Sequence, residues 1–480
     1  MLLYNTQTHR REELIPHEAG KIKMYTCGPT VYHFAHIGNL RTYIMEDALE
    51  RALGYLGYEV KRAMNITDVG HLTSDADTGE DKMLKGAKRE KKTVMEIAKF
   101  YTDAFLADCK RLNIKVPEIV VPATSEVSEF IRVIEHLLET GYAYEAGGNI
   151  YFDTSKPTQY NVFHDFSEDD LEVGVREGVE EDGNKRNKTD FVLWFTKSKF
   201  DDQELKWDSP FGLGYPGWHI ECSCISMKYL GEYLDIHCGG VDNVFPHHTN
   251  EIAQSEAYLG HPWCRAWFHV AHLNTSGGKM SKSKGEFLTV DLLVSKGYDP
   301  MAYRFFCLQS HYRKSLVFSY ENLDNAATAY RKLIARIAAL PEDGSAYDEA
   351  AAKPYLDTFA EALSTDLNTS LAVTALYDVL KSDLSAATKR ELISRFDSVL
   401  ALNLLEAAAR VKKEAEATAA DANPDLDPAK RAEIEAMIAA RAAAKKEKNY
   451  AEADRIRSLL SEMGVTLKDT PTGTTYTVVK

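Results

Sequence analysis

The sequence predicts an α/β protein: a parallel-sheet domain split by an insertion, then an α-helical bundle and a small C-terminal α+β tail. Three observations carry this. A strand, a helix and a second strand follow one another near the start, between residues 22 and 66. Apolar, glycine- and histidine-rich text returns at 211–274 after an irregular, charged stretch at 116–205. Beyond Leu340 a polar linker, PEDGSAYDEAAAKP, gives way to Ala, Leu, Glu, Lys and Arg with helical period.

Taken in order, residues 22–27 (IKMYTC) read as a strand broken by Gly28-Pro29. Leu40, Ile44, Ala48 and Ala52 recur every four residues, with Leu49, Leu53 and Leu56 beside them, which is the apolar face of a helix. Gly57 stops that helix and YEVKRAMNI (58–66) supplies the next strand. A right-handed βαβ unit of this kind opens a Rossmann-type, nucleotide-binding sheet. Amphipathic helices follow at 93–114 and 125–140. The expected domains are 1–115 and 206–290 as two halves of one sheet, 116–205 as the insertion, and then 291–340, 341–412 and 413–480. Further helices are expected at about 355–380, 387–415, 428–447 and 450–462, with a β-rich tail from Gly464.

A length of 480 residues suits roughly three or four domains. The net charge of −15 excludes a wholly basic nucleic-acid coat but leaves room for a local basic patch. No apolar run approaches the roughly 18 residues of a membrane span, and the N-terminus lacks a signal-like core. The seven cysteines include no CxxC pair, so neither a disulfide framework nor a zinc knuckle is indicated, and a reducing cytoplasm is expected.

Two motifs suit phosphate. HIGN, His36 to Asn39, lies between the first strand and its helix, where unpaired N–H groups and the positive end of the dipole favour anions. Gly38 lets a ligand approach the backbone and His36 can donate to phosphate oxygens. KMSKS, Lys279 to Ser283, follows Ser276-Gly277-Gly278 and forms a cationic loop that can close on a triphosphate; Lys279 and Lys282 neutralise charge that builds there. Either alone has a plain structural reading, a capped helix or a solvated basic loop. Their order, 240 residues apart, is that of class I aminoacyl-tRNA synthetases.

A third constellation suits a metal. Cys27 ends the first strand, Cys222 lies in PGWHIECS (216–223), and FPHHTNEIAQ (245–254) opens with Pro246, a favoured first helical residue. His247 and Glu251 then share a helical face, four residues apart. Two thiolates, an imidazole and a carboxylate make a tetrahedral zinc set. Cys224, Cys238 and His248 compete for the same role, and each residue alone is equally readable as core.

Taken with CGPTVY (27–32), NITD (65–68), DFVLW (190–194) and GTTY (473–476), these blocks make the chain resemble the bacterial cysteinyl-tRNA synthetases over nearly its full length. The resemblance implies that Cys27, Cys222, His247 and Glu251 bind one zinc ion, which takes the cysteine thiolate. It implies that Thr67 and Trp218 line the amino-acid pocket with His237 nearby. HCGGVD (237–242) implies that Gly239 and Asp242 flank the adenosine. The expected reaction makes cysteinyl-adenylate from L-cysteine and ATP with Mg²⁺, then charges the terminal 2′-OH of tRNA(Cys). His36, Asn39, Lys279 and Lys282 are the catalytic candidates.

By the same resemblance, 116–205 is a connective insertion rather than an editing site and 291–340 a stem-contact region and linker. Residues 341–412 would bind the anticodon arm, with STDLNTSLAV (364–373) as a marker, and 413–480 would recognise the anticodon. Lys445, Lys446, Lys448, Arg455 and Arg457 are candidate phosphate contacts, and Tyr476 a candidate stacking aromatic. A monomer is expected. The chain departs from the family at Asn39, where the commoner motif reads HIGH, at His33, in KMSKSKGE, and at Thr249. Two rival readings are a ligase joining cysteine to an amino-sugar, against which residues 411–480 argue, and a zinc hydrolase using His247, His248 and Glu251. A catalytically silent RNA-binding relative is a third.

Overall fold

In the computed structural model the described residues are 1–69, 92–163, 182–197, 204–275, 278–279, 287–422, 427–447, 449–470 and 473–478. They fall into two compact units, the first made of Met1–Leu323, Asp357–Val373 and Ser398–Leu400.

That unit opens with an antiparallel hairpin, β1 (Leu2–Asn5) and β2 (Arg10–Glu13). The expected βαβ unit follows as β3 (Lys21–Thr26), α1 (Ile37–Tyr55) and β4 (Glu59–Ile66). Helix α2 (Val94–Arg111) starts at a Thr93–Glu96 capping box and leads to β5 (Ile119–Pro122) and α3 (Val127–Glu139). After the insertion come α4 (Trp218–Leu230), β10 (Leu234–Gly240), α5 (Thr249–Leu259) and β11 (Cys264–Val270).

The five strands pair in the order β11-β10-β3-β4-β5, all parallel. In chain order this is 5-4-1-2-3, the doubly wound arrangement whose ligand crevice opens beyond the strand ends where the order reverses, here between β3 and β10. Gly28 is required at that crevice: a Cβ there would lie 1.6 Å from the Asn65 carbonyl oxygen.

Strand β5 is a finding relative to the sequence reading. Ile119–Pro122 lies within the stretch expected to be insertion, yet it extends the parallel sheet beside β4. Four residues flanked by charge are too short to register as a period. The antiparallel module proper is β6 (Ala143–Ala146), β7 (Asn149–Phe152), β8 (Phe191–Phe195) and β9 (Tyr215–Pro216).

Beyond β11, β12 (Leu273–Thr275) pairs antiparallel with β13 (Gly278–Lys279) and parallel with β14 (Leu316–Phe318). Helices α6 (Val290–Ser295) and α7 (Pro300–Leu308) lie between β13 and β14 in the chain.

The second unit comprises Asp324–Leu356, Thr374–Asp397 and Ala401–Lys480. Two expected helices, whose residues are shared between the two units, are each divided. The run at 355–380 breaks between Glu349–Ser364 and Thr369–Lys381, where Asp366 and Leu367 adopt positive φ (61° and 47°). The run at 387–415 breaks between Ala386–Leu400 and Leu404–Ala422, where Ala401 and Asn403 do the same (52° and 56°) and Asp397 accepts from the Leu402 and Leu404 amides. Helices Pro428–Lys446 and Tyr450–Glu462 match expectation and precede a hairpin, Val465–Thr470 with Gly473–Val478.

Candidate functional site

Cys27 directly follows β3, and its amide donates to the Cys238 carbonyl of β10 at 3.3 Å, which places it at the switch point. Helix α4 presents Cys222. Val244–His248 form a kinked turn with extended Phe245, and the helix proper begins at Thr249 instead of Pro246. His247 and Glu251 nonetheless meet as expected, Nε2 to Oε1 at 2.9 Å.

The donor atoms of Cys27, Cys222, His247 and Glu251 all lie within 4.8 Å of one another. The two sulfurs are 3.9 Å apart, and Cys27 Sγ is 3.9 Å from Glu251 Oε1. Two thiolates on a tetrahedral zinc at about 2.3 Å would stand about 3.8 Å apart, so the spacing fits that ion. A second grouping, Cys27, His237, His248 and Glu251, meets the same distance limit. Cys222, His247 and Glu251 are buried, and Cys27 is half-buried.

Three of the four ligand candidates, His247, Glu251 and Cys27, have an outer partner. His219 Nδ1 lies 2.9 Å from His247 Nδ1, which turns Nε2 toward Glu251. His237 Nε2 lies 2.9 Å from Glu251 Oε2, leaving Oε1 to the cluster. His248 Nε2 is 3.2 Å from Cys27 Sγ, while its Nδ1 meets His269 at 2.8 Å and His269 meets the Thr6 hydroxyl at 2.8 Å. Such outer contacts fix ring orientation in metal sites. Gly239 makes room for this chain, since a Cβ there would come 2.8 Å from the His248 ring.

Electrostatics sort the protons. Burial pushes the Cys27 thiol well above its ordinary range. Burial opposes the ionised form of Cys222 too, but contact with Cys27 and His247 outweighs it and brings Cys222 down to about 6. Burial works against charge on Glu251, yet His237 and His247 hold it down at about 2. Burial likewise disfavours imidazolium at His247, and Glu251 with Cys222 lifts it to about 10.

Of the residues expected around the substrates, Trp218 and His237 touch this cluster. Trp218 stacks on His247 with ring centroids 4.2 Å apart. Thr67 donates to Glu221 at 2.7 Å and accepts from Asn65, whose Oδ1 takes the Gly28 amide at 2.7 Å. His237 is fully buried against Glu251 and stacks on Trp267. Asp242 is exposed and lies 3.4 Å from His272. Cys224 and Cys238 offer no ligand atom to either grouping.

His36 caps α1. Its Nδ1 accepts from the Asn39 amide at 3.1 Å, and Asn39 Oδ1 accepts from the His36 amide at 3.3 Å, a reciprocal capping box. Gly38 is required at this turn, because a Cβ would lie 2.9 Å from that Nδ1. Lys279 stands in β13, described by its backbone alone, and Lys282 lies outside the described residues.

The candidate tRNA contacts differ in their surroundings. Lys445 and Arg457 are exposed, Arg455 pairs with Glu452 at 2.7 Å, the Lys446 side chain is not described, and Lys448 lies outside the described residues. Tyr476 is buried (5% exposed) in the tail's apolar core with Ile434, Ile456, Leu460 and Val465. In the free chain its ring is therefore a core element and is not presented at the surface.

Sequence reasoning missed the supporting roles of His219, Glu221, Asn65, His269 and Thr6. His219 and Glu221 stand inside PGWHIECS, and the three-residue helical spacing of His219 to Cys222 was a usable signal. Asn65, His269 and Thr6 reach the site through pairings that no local period reveals.

Residues 13–328 match the family model for the tRNA synthetases class I (C) catalytic domain, and residues 427–476 that for the cysteinyl-tRNA ligase anticodon binding domain. The cysteine–tRNA ligase of Treponema denticola is 44% identical over 496 residues, covering 99% of each chain. That of Borrelia garinii is 42% identical over 485 residues, covering 98% of each. The structure of Mycobacterium tuberculosis methionyl-tRNA synthetase in complex with methionyl-adenylate superposes with a TM-score of 0.52 at 15% identity, over 81% of this chain and 90% of that one, which shows a common fold. The chain belongs to the class I cysteinyl-tRNA synthetase family, the cysteine–tRNA ligases.

Proposed function

We propose that this chain joins L-cysteine to ATP as cysteinyl-adenylate and passes the cysteinyl group to the 3′-terminal ribose of tRNA(Cys), with zinc held by Cys27, Cys222, His247 and Glu251 selecting the substrate. The observation that carries this is the convergence of those four donor sets within 4.8 Å at the sheet's switch point. Of the two groupings, this one offers two thiols, one already brought down to about 6, and so suits a borderline-soft cation better.

Bound zinc would supply a Lewis acid that prefers a thiolate to a hydroxyl. An apolar pocket separates near-isosteres by only about 10- to 200-fold, whereas translation requires about 10⁴–10⁵. Sulfur-specific recognition meets that need without an editing domain.

The chain's own residues do the rest. Trp218 and Thr67 bound the amino-acid pocket beside the cluster. The amino-acid carboxylate attacks the α-phosphate in line and pyrophosphate leaves, so no side chain acts as nucleophile; positioning and charge stabilisation suffice. The N-terminus of α1, the His36 ring and the Asn39 amide group receive phosphate, and the Asn39 side-chain oxygen also shapes the turn that presents His36. Lys279 and Lys282 neutralise the triphosphate, which enters with Mg²⁺. Gly239 and Asp242 flank the adenosine. The anticodon-domain match at 427–476 favours a tRNA acceptor over an amino-sugar. A cytoplasmic monomer accords with this reading, and among the described residues no helix is long and apolar enough to cross a membrane.

The test is ATP–pyrophosphate exchange with cysteine and with serine, before and after zinc chelation, then charging of tRNA(Cys) against an amino-sugar acceptor. Cysteine-dependent, zinc-dependent exchange and tRNA charging are expected, with zinc lost in Cys222→Ser. Equal activation of serine, or full zinc content in Cys222→Ser, would overturn the assignment.

A further inference from the structure

Asp366 lies in the first unit, at the break that divides the expected helix 355–380. It is 1% exposed and has a φ of 61°. Its carboxylate accepts four hydrogen bonds from two remote segments. Oδ1 takes the Tyr4 amide at 2.9 Å and the Tyr312 hydroxyl at 2.5 Å; Oδ2 takes Arg313 Nε at 2.9 Å and Nη2 at 2.6 Å. His311 Nε2 stands 3.6 Å from Oδ2. The Asp366 amide donates to the Leu2 carbonyl at 2.9 Å, and the Arg313 guanidinium lies 4.3 Å from the Tyr4 ring centroid. A carboxylate offers about four acceptor sites, and here all are filled. Charge-assisted bonds of this kind are geometrically exacting.

What Asp366 holds leads to the strand pair that carries Lys279. The Tyr312 carbonyl accepts from the Ala271 amide at 2.9 Å, and its ring stacks on Phe268 at 4.2 Å. The Leu316 amide donates to the His272 carbonyl at 3.0 Å, where β14 begins its pairing with β12. Strand β12 in turn pairs with β13, where Asn274 faces Lys279. On the other side, buried Arg41 of α1 donates to the carbonyls of Ala271, His272 and Lys314. Arg41 thus ties the strand pair to the helix that His36 caps, and Asp366 ties the same strand pair to the N-terminal hairpin.

We propose that Asp366 is a positioning residue for amino-acid activation, fixing residues 312–316 and through them the β12–β13 pair that carries Lys279. This rests on the reading of Lys279 as a triphosphate ligand. Asp366 touches no substrate; it acts through the strand pairing.

The test is a double-mutant cycle in the full-length, zinc-loaded chain, read by cysteine-dependent ATP–pyrophosphate exchange. Asp366→Asn keeps the shape and tolerates the left-handed backbone but removes the charge. A fall in kcat of about 10- to 100-fold is expected, with KM for cysteine and zinc content unchanged. Lys279→Ala should lower kcat as well, and Asp366→Asn should add little in that background. Tyr312→Phe, which removes one bond and preserves the ring, should give a smaller fall in the same direction and serves if Asp366→Asn does not fold. Multiplicative effects of Asp366→Asn and Lys279→Ala, or loss of cysteine binding and zinc along with kcat, would mean a merely structural role and overturn the proposal. Normal exchange by Lys279→Ala would instead remove the triphosphate reading, whatever Asp366→Asn does.

Discussion

His247 and Glu251, one helical turn apart, meet at 2.9 Å inside a cluster that also holds the thiols of Cys27 and Cys222. In zinc-free protein the contact is an ion pair, with His247 lifted to about 10 by Glu251 and Cys222 against the opposing effect of burial, and Glu251 held at about 2 despite the same effect.

Proton release on zinc uptake follows. At pH 7 burial keeps Cys27 as the thiol and His247 carries its extra proton, whereas Cys222 and Glu251 are ionised. Zinc requires thiolate and neutral imidazole, so about two protons leave per ion bound. Calorimetric titration of zinc-free protein in buffers of different ionisation enthalpy reads this number directly. Release of none would contradict a protonated Cys27 and a cationic His247.

His219→Phe should weaken zinc binding by about 10- to 100-fold with little change in fold, because it removes the partner that turns His247 Nε2 toward Glu251. Competition with a chromogenic chelator measures it. Unchanged affinity would show that Trp218, stacked on the same imidazole, orients the ring unaided.

How much of the molecule is legible in its sequence depends on the range of the interactions. The βαβ unit is readable because Leu40, Ile44, Ala48 and Ala52 encode a helix face locally, and Cys222, His247 and Glu251 stand in short recognisable blocks. The division of the helix at Asp366 is not readable. That residue gives up helical φ to bond Tyr4 and Tyr312, partners 362 and 54 residues away. The His248–His269–Thr6 chain is hidden for the same reason. The sequence suggests a phosphate contact at Asn39; it does not announce that the side-chain oxygen of Asn39 also closes a capping box three residues back.

Tyr476 separates packing from recognition. Tyr476→Phe should charge tRNA at the native rate, since the ring is packed in the tail core. Tyr476→Ala should destabilise that core by about 3–5 kcal/mol, the usual cost of deleting a buried aromatic. Limited proteolysis of the tail, alongside charging kinetics, distinguishes the two. Tyr476→Leu keeps an apolar side chain but removes the π-face, so a charging defect there with an intact tail would show a direct stacking role in RNA contact.

Glu46 links the buried interior to pH. Burial, only partly offset by Arg62, pushes its carboxyl from an ordinary 4.5 up to about 8. Between those values the folded chain binds a proton that the unfolded chain has released, so this residue makes stability fall as pH rises from 4.5 to 8. Glu46→Gln lacks the titration. The wild type should therefore lose stability relative to Glu46→Gln by at most about 1.4 kcal/mol per pH unit across that window. Urea midpoints of both proteins at several pH values in this range read the trend, and a gap that stays constant would place Glu46 as the ionised partner of Arg62 throughout.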